Sequence, residues 1–328
     1  MFFNRKEKLL PVRYPKKEIS ISLFEIFFNE YGKYPGVDKT NSEISIVWQY
    51  VFDKYATDVF NVMEKGDLIQ LKKIYEDYYI HGTSEGASSG KALSNNRLKL
   101  EKSKRNIARV KPLQEYFAYK SLRSKEFMEP PEFYNLLNEK VVIPELINYG
   151  QTWGWYYGDL FIHFELADYI YFSDIIVKIL DLLKIDKTFF LGDGSGLLSA
   201  LVYNNYDVVS SHHVDLGHFL LKQYLTNFNN NTKIYYHYAE SFMPDLTHDS
   251  QILINQDSFP EMRKESVEKY VENIQLNNVP YILSYNMEFI DKRHSDFRSI
   301  IINHNYHTKL RFNSTVRPGY IIELFELQ

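Results

Sequence analysis

The second half of the chain predicts an open, Rossmann-like α/β fold. Its seven-stranded, mainly parallel sheet closes on an antiparallel strand hairpin, and a mainly helical N-terminal region precedes it. Three observations carry this. An apolar strand runs into a glycine-rich turn at Phe189-Phe-Leu-Gly-Asp-Gly-Ser-Gly196. About one βα unit later a second strand ends in an acid, Asp215. The chain finishes on two strands, Thr308–Phe312 and Gly319–Leu327, joined around Arg317-Pro318-Gly319 with no helix between them.

The elements follow in order. From Ser20 to about Tyr79 the period is helical, with Ile44, Val47, Trp48, Val51 and Tyr55, then Leu68, Leu71, Ile74 and Tyr78, at spacings of three and four. His81–Gly90 is a Gly/Ser loop. Its Gly90-Lys91 fails as a phosphate loop, because the glycines at 86 and 90 stand too close and Ala92 replaces Ser or Thr. A basic stretch from Lys91 to Lys111 is opposed only by Glu101; it reads as a solvated face or as a patch that attracts a phosphorylated substrate. A helix over Ser121–Asn138 completes the N-terminal region, residues 1–150, and residues 151–328 form the α/β domain.

In that domain a helix over Ala167–Leu183 leads to the strand Thr188–Leu191. The glycine turn opens a helix over Leu197–Asn204, and a strand ends at Val214. A helix over Leu216–Phe228 and strands Lys233–Tyr238 and Gln251–Asn255 follow. Then come a helix over Glu261–Gln275, the strand Tyr281–Tyr285 and a short helix Phe297–Asn303. Alternation of strands and helices implies parallel pairing with right-handed crossovers.

Composition narrows the function. With 328 residues and a net charge of −4, the chain lacks the basic balance that nucleic acid would favour. It has no cysteine, so disulfides and thiolate chemistry are excluded and a reducing, cytoplasmic setting is expected. The N-terminus has no secretory h-region. No run reaches the roughly 18 apolar residues of a membrane span. Assembly stays open, a homo-oligomer included.

The glycine spacing selects the ligand. A dinucleotide site needs G-x-G-x-x-G, and the third position counted from Gly192 is Leu197. Gly192, Gly194 and Gly196 instead have the G-x-G-x-G spacing of S-adenosylmethionine (SAM) methyltransferases, and the closing hairpin matches their seven-stranded sheet. Asp193, Ser195 and the glycines would meet the methionine end of SAM, Asp215 the ribose and Leu216 the adenosine. Glu240, with Ala239 and Ser241 after the third strand, is placed to meet the adenine or to cap a helix.

Ligands of open α/β sheets lie beyond the carboxyl ends of the strands. Asp257 and Glu261 stand there, in Asn255-Gln-Asp-Ser-Phe-Pro-Glu-Met262, where a base for an acceptor hydroxyl is needed. Each also has a structural reading, an Asx turn and a helix N-terminal acid respectively. Tyr285 and Asn286 are candidates for the acceptor pocket. His212 and His213 leave their strand on opposite faces, so no metal centre is expected with Asp215. Trp153–Gly158 reads as a cover for the cofactor, a platform for a pyranose ring, or core.

These residues resemble the sugar O-methyltransferase family of bacterial surface-polysaccharide gene clusters. The resemblance rests on Leu191–Leu197, on Val214-Asp-Leu216 with Gln223-Tyr-Leu225, and on Asp257–Met262 followed by Tyr270. It spans roughly residues 60–327 and implies SAM-dependent methylation of a hydroxyl on a sugar, sugar-nucleotide or glycan acceptor. The family usually has an acid where this chain has Phe190, and proline where it has Gly217. Asp193 would then take the missing acid's place on the methionine amino group. Two rivals remain: a nucleotide-sugar oxidoreductase or epimerase using NAD, and an inactive SAM-fold scaffold protein.

Overall fold

The computed structural model describes residues 12–13, 18–34, 57–78, 153–157, 160–163, 166–239, 249–287, 296–314 and 319–328. The first strand, β1, is the two-residue Val12–Arg13, and the helices α1 (Ile21–Tyr31), α2 (Thr57–Lys65) and α3 (Leu68–Glu76) follow. The hairpin β2 (Trp153–Tyr157) and β3 (Leu160–His163) pairs with β1, not with the large sheet (Val12 opposite Gly154). The α/β elements are α4 (Leu166–Leu183), β4 (Lys187–Leu191), α5 (Leu197–Asn205), β5 (Ser210–Asp215), α6 (Gly217–Asn227) and β6 (Lys233–Tyr238). They continue with β7 (Ile252–Gln256), α7 (Lys264–Leu276), β8 (Tyr281–Met287), α8 (Phe297–Asn303), β9 (Tyr306–Asn313) and β10 (Tyr320–Leu327).

Seven strands form one sheet in the order β6-β5-β4-β7-β8-β10-β9. The first five are parallel to one another; β10 inserts antiparallel between β8 and β9. The order reverses between β4 and β7, and the crevice at that switch point is where open α/β sheets bind ligands.

Strand alternation fills two layers. Phe190, Ile252, Ile254, Leu283 and Tyr285 face α4 and α5, while Phe189, Leu191, Leu253 and Ile282 face α7 and α8. Both faces are covered, so β7 reads as a continuous apolar run ending in Asn255 and Gln256, all five residues buried.

The N-terminal helices pack onto α6 and the outer strand β6. Phe27 is fully buried against Tyr224, Tyr236 and Tyr238, which removes one large aromatic from water for about 1.5–3 kcal/mol. Three tyrosine hydroxyls tie the layers together. Tyr31 donates to the carbonyl of Ile234, Tyr75 to that of His218 and Tyr238 to that of Gly32. The Cδ2–Cε2 edge of the Tyr34 ring meets Gly217, where an added Cβ would stand 2.2 Å from its Cε2. The glycine at position 217 is therefore what lets this aromatic ring cover the start of α6.

Within the described residues the predicted α/β segments match within one or two residues, with two corrections. The helix predicted over Glu261–Gln275 begins only at Lys264, and Glu261 instead closes a 3₁₀ turn, Phe259–Glu261, that contains Pro260. Tyr285 does not face a pocket; its ring packs on Phe172 at 4.7 Å and its hydroxyl pairs with Ser314, because alternation sends it to the α4 side. The helical period over Ile44–Tyr55, the Gly/Ser loop, the basic stretch, the Ser121–Asn138 helix and Glu240 with Ser241 lie outside the described residues.

Candidate active site

The site is built on the glycine turn after β4. Gly192, Gly194 and Gly196 all have positive φ (75°, 58° and 77°), the left-handed region that costs a side chain but not glycine. The turn folds onto the end of β5. The Gly192 amide donates to the Val214 carbonyl, and the Gly194 amide to Asp215 Oδ2 at 3.0 Å. Asp215 also accepts from the Leu216 amide through Oδ1 at 2.8 Å, and from Gln223 Nε2 through Oδ2 at 2.7 Å. A ribose would join these donors on the same carboxylate.

One face of α6 grips the rest of the turn. Gln223, Thr226 and Asn227 stand at positions i, i+3 and i+4. Their side chains donate to the carbonyls of Gly194, Ser195 and Gly196 at 3.4, 2.8 and 3.2 Å. An added Cβ at Gly196 would stand 2.8 Å from Gln223 Cα, so this contact requires glycine. Of the three gripping residues, only Gln223 belongs to a string legible in the sequence, Gln223-Tyr-Leu225. A polar i, i+3, i+4 set along one face of this helix was the available sign.

Behind Asp215 runs a buried hydrogen-bonded chain. His213, fully buried, meets Gln223 Oε1 through Nδ1 at 2.9 Å and Tyr203 through Nε2 at 2.6 Å. Because Gln223 spends its Nε2 on Asp215, its Oε1 must accept, so His213 carries its proton on Nδ1 and accepts from Tyr203. Burial holds the imidazole neutral, pushing its pKa down to about 3. His212 leaves the opposite face and pairs with His237 at 2.9 Å. Among the described residues no group of three or more His, Cys, Asp or Glu side chains is placed to hold a metal.

Asp193 turns its carboxylate to the start of α5, where Oδ2 accepts from Ser199. Burial pushes its pKa up to about 8, and the neighbouring Asp215 adds to the rise. Its Oδ1 is buried with no hydrogen-bond partner. Phe190, where the resembling family has an acid, packs against Tyr203 and His213 in the core.

The second loop follows β7. Asn255 donates to the Leu191 carbonyl at 2.9 Å and accepts from the Phe259 amide and from Asn286 Nδ2. It thus locks the two loops and β8 together. Ser258 Oγ donates to the Gly192 carbonyl at 3.1 Å. Asp257 has a φ of +62°, a left-handed conformation that aspartate tolerates better than most residues, with its amide donating to the Tyr285 carbonyl. Asp257 and Glu261 are both partly exposed at this rim. Gln256 Oε1 and Asn286 Oδ1, at the ends of adjacent strands, are buried and accept no hydrogen bond among the described residues. Donor-bearing ligand groups, such as SAM's ammonium or a hydroxyl, fit acceptors of this kind.

The buried histidines set the acid limit of the fold. His213 and His218 are both depressed to about 3 by burial, against about 6.5 in the unfolded chain. Between those values the unfolded state binds protons that the folded state refuses. Stability therefore falls as pH falls, by about 1.4 kcal/mol per pH unit for each histidine. Asp193, raised to about 8, acts with the opposite sign: it loses stability as pH rises from about 4 through 8. The urea midpoint is expected to drop between pH 6.5 and 5, and to drop less steeply in His218→Leu. An unchanged midpoint across that interval would contradict this burial.

The strand order, numbered along the chain within this sheet as 3-2-1-4-5-7-6 with an antiparallel seventh strand, is that of the class I SAM-dependent methyltransferase fold. No family model matches the chain, and no curated protein matches it in sequence. Solved structures do match. Magnesium protoporphyrin IX methyltransferase (ChlM) from Synechocystis with bound SAM is 14% identical, with a TM-score of 0.40, over 52% of this chain and 88% of that one. An O-methyltransferase family protein from Burkholderia thailandensis is 9% identical, with a TM-score of 0.37, over 50% and 60%. The methyltransferase domain of bacterial CtHen1 is 10% identical, with a TM-score of 0.39, over 47% and 97%. At such identities and scores these likenesses say nothing about substrate, and the fold assignment stands on the strand order.

Proposed function

We propose that the chain is a SAM-dependent O-methyltransferase that methylates a hydroxyl of a sugar or sugar-nucleotide acceptor in bacterial surface-glycan synthesis. The observation that carries the cofactor reading is the tie between the glycine turn and Asp215, Gly194 amide to Oδ2, at the switch point of this sheet. SAM supplies a sulfonium methyl for in-line displacement. The turn and Asp215 hold its methionine and ribose ends, and the protein's remaining task is to orient the acceptor and take its proton. The buried acceptors Gln256 Oε1 and Asn286 Oδ1 support a hydroxylated or amino-bearing ligand at the mouth. The Asp257–Met262 string supports the sugar class through its resemblance.

Asp257 or Glu261 is the base in this reading. In an assay of radiolabel transfer from SAM to a sugar-nucleotide pool, Asp257→Asn or Glu261→Gln is expected to lower turnover about 10²–10⁴-fold. S-adenosylhomocysteine affinity should stay unchanged. Near-wild-type turnover in both variants removes both residues from the role.

A further inference from the structure

We infer that a cleft between α8 and the β8-β10-β9 end of the sheet binds a neutral, polyhydroxylated ring, and that it is the subsite for the acceptor. Calling it an acceptor subsite rests on the methyltransferase reading above; its ligand class does not.

The cleft has a volume of about 210 Å³ and is lined by Ser284, Asn286, Phe297, Arg298, Arg311 and Ile321, with Asp296 and Glu323. Drug-sized ligands occupy roughly 300–1,000 Å³, so this space suits one ring-sized group rather than a whole cofactor. It adjoins the catalytic rim. Asn286 bonds to Asn255, which bonds to the Leu191 carbonyl just before the glycine turn, and Phe297 stacks on Phe259 of the 3₁₀ turn at 5.9 Å.

Hydrogen-bond polarity defines what the cleft accepts. Asn255 Nδ2 donates to a carbonyl, so Asn255 Oδ1 must accept, and the group Asn286 turns toward it must be Nδ2. That amide nitrogen also donates to Ser284 Oγ at 2.7 Å. The network therefore fixes the orientation of Asn286 and leaves Oδ1, on a residue 1% exposed, as a buried acceptor with no donor. A hydroxyl proton satisfies it, and a carboxylate or phosphate oxygen does not. Arg298 commits Nε to Glu323 and Nη2 to Thr308, which leaves Nη1 to donate to a neighbouring ligand oxygen.

Charge argues the same way. Glu323, 3% exposed, accepts from Arg298, Arg311 and Thr308, and Asp296 stands at the rim. Among the described residues two guanidinium groups face two carboxylates, so this lining offers no net charge with which to select an anion. An acceptor, a donor and an apolar wall at Phe297 and Ile321 are the complement of a sugar ring with adjacent hydroxyls.

The test is ligand-observed NMR on the full chain with the methyl glycosides of glucose, galactose, mannose and rhamnose, and with glucose 1-phosphate and glucuronate as anionic counterparts. S-adenosylhomocysteine is titrated in parallel. At least one neutral glycoside should bind wild type. Ile321→Trp, which fills the cleft from the strand position opposite Asn286, and Asn286→Leu, which removes the acceptor together with the amide that bonds Asn255 and Ser284, should each weaken it at least tenfold. Binding of only the anionic sugars, of none, or of glycosides indifferent to both variants overturns the proposal. Glycoside binding without S-adenosylhomocysteine binding upholds the sugar cleft and sinks the methyltransferase reading instead.

Discussion

An Asp215→Ala variant is expected to lose S-adenosylhomocysteine affinity by up to about a hundredfold while remaining folded. The carboxylate already holds the Gly194 and Leu216 amides and Gln223 within 3.0 Å, so its position is set by three donors before any ligand arrives. Hydrogen bonds to a charged group contribute about 1.5–3 kcal/mol each, and a ribose hydroxyl taking the acceptor site these donors leave contributes up to about 3 kcal/mol. A tenfold change in affinity corresponds to about 1.4 kcal/mol, which gives the hundredfold figure. Asp215→Asn keeps one acceptor oxygen and should lose only about tenfold. Calorimetry gives the affinities, and circular dichroism checks the fold. Wild-type affinity in the alanine variant would remove Asp215 from the cofactor site.

Gly196→Ala should destabilise the protein by about 2–5 kcal/mol. The residue has a φ of +77°, where a β-carbon costs about 1–2 kcal/mol. That β-carbon would also stand 2.8 Å from Gln223 Cα, a backbone atom of α6 that can yield only by moving the helix. Overpacking of this kind costs about 1–3 kcal/mol. Gly319→Ala is the control, because it has a φ of +75° and no neighbour within 4 Å among the described residues. It should cost only the backbone share. Urea denaturation of the two variants separates the contributions. Equal losses would mean that the contact between the turn and α6 does not contribute to stability.

The central strands β4, β7 and β8 were legible because each is buried on both faces and carries a short apolar run between turn residues. The glycine spacing and Asp215 were legible for a related reason: a positive φ or a close backbone contact admits few other residues. The β1-β2-β3 sheet was not legible, since it joins Val12 to Gly154 across most of the N-terminal region and leaves no local period. The His213–Gln223–Asp215 chain was only half visible. Alternation separated His213 from His212, but its partner lies ten residues on, on a helix whose rotation the sequence does not set. Gly217 looked like a family departure and is explained by Tyr34, a contact across more than 180 residues of chain. The cleft at α8 was invisible, because Asn286 acquires its meaning from an amide orientation set two strands away.

The most direct test of the methyltransferase reading is a calorimetric titration of the wild-type protein with S-adenosylhomocysteine and, separately, with NAD. Binding of S-adenosylhomocysteine at about micromolar affinity, with none for NAD, is the predicted result. Binding of NAD alone, or of neither by a folded protein, would contradict it.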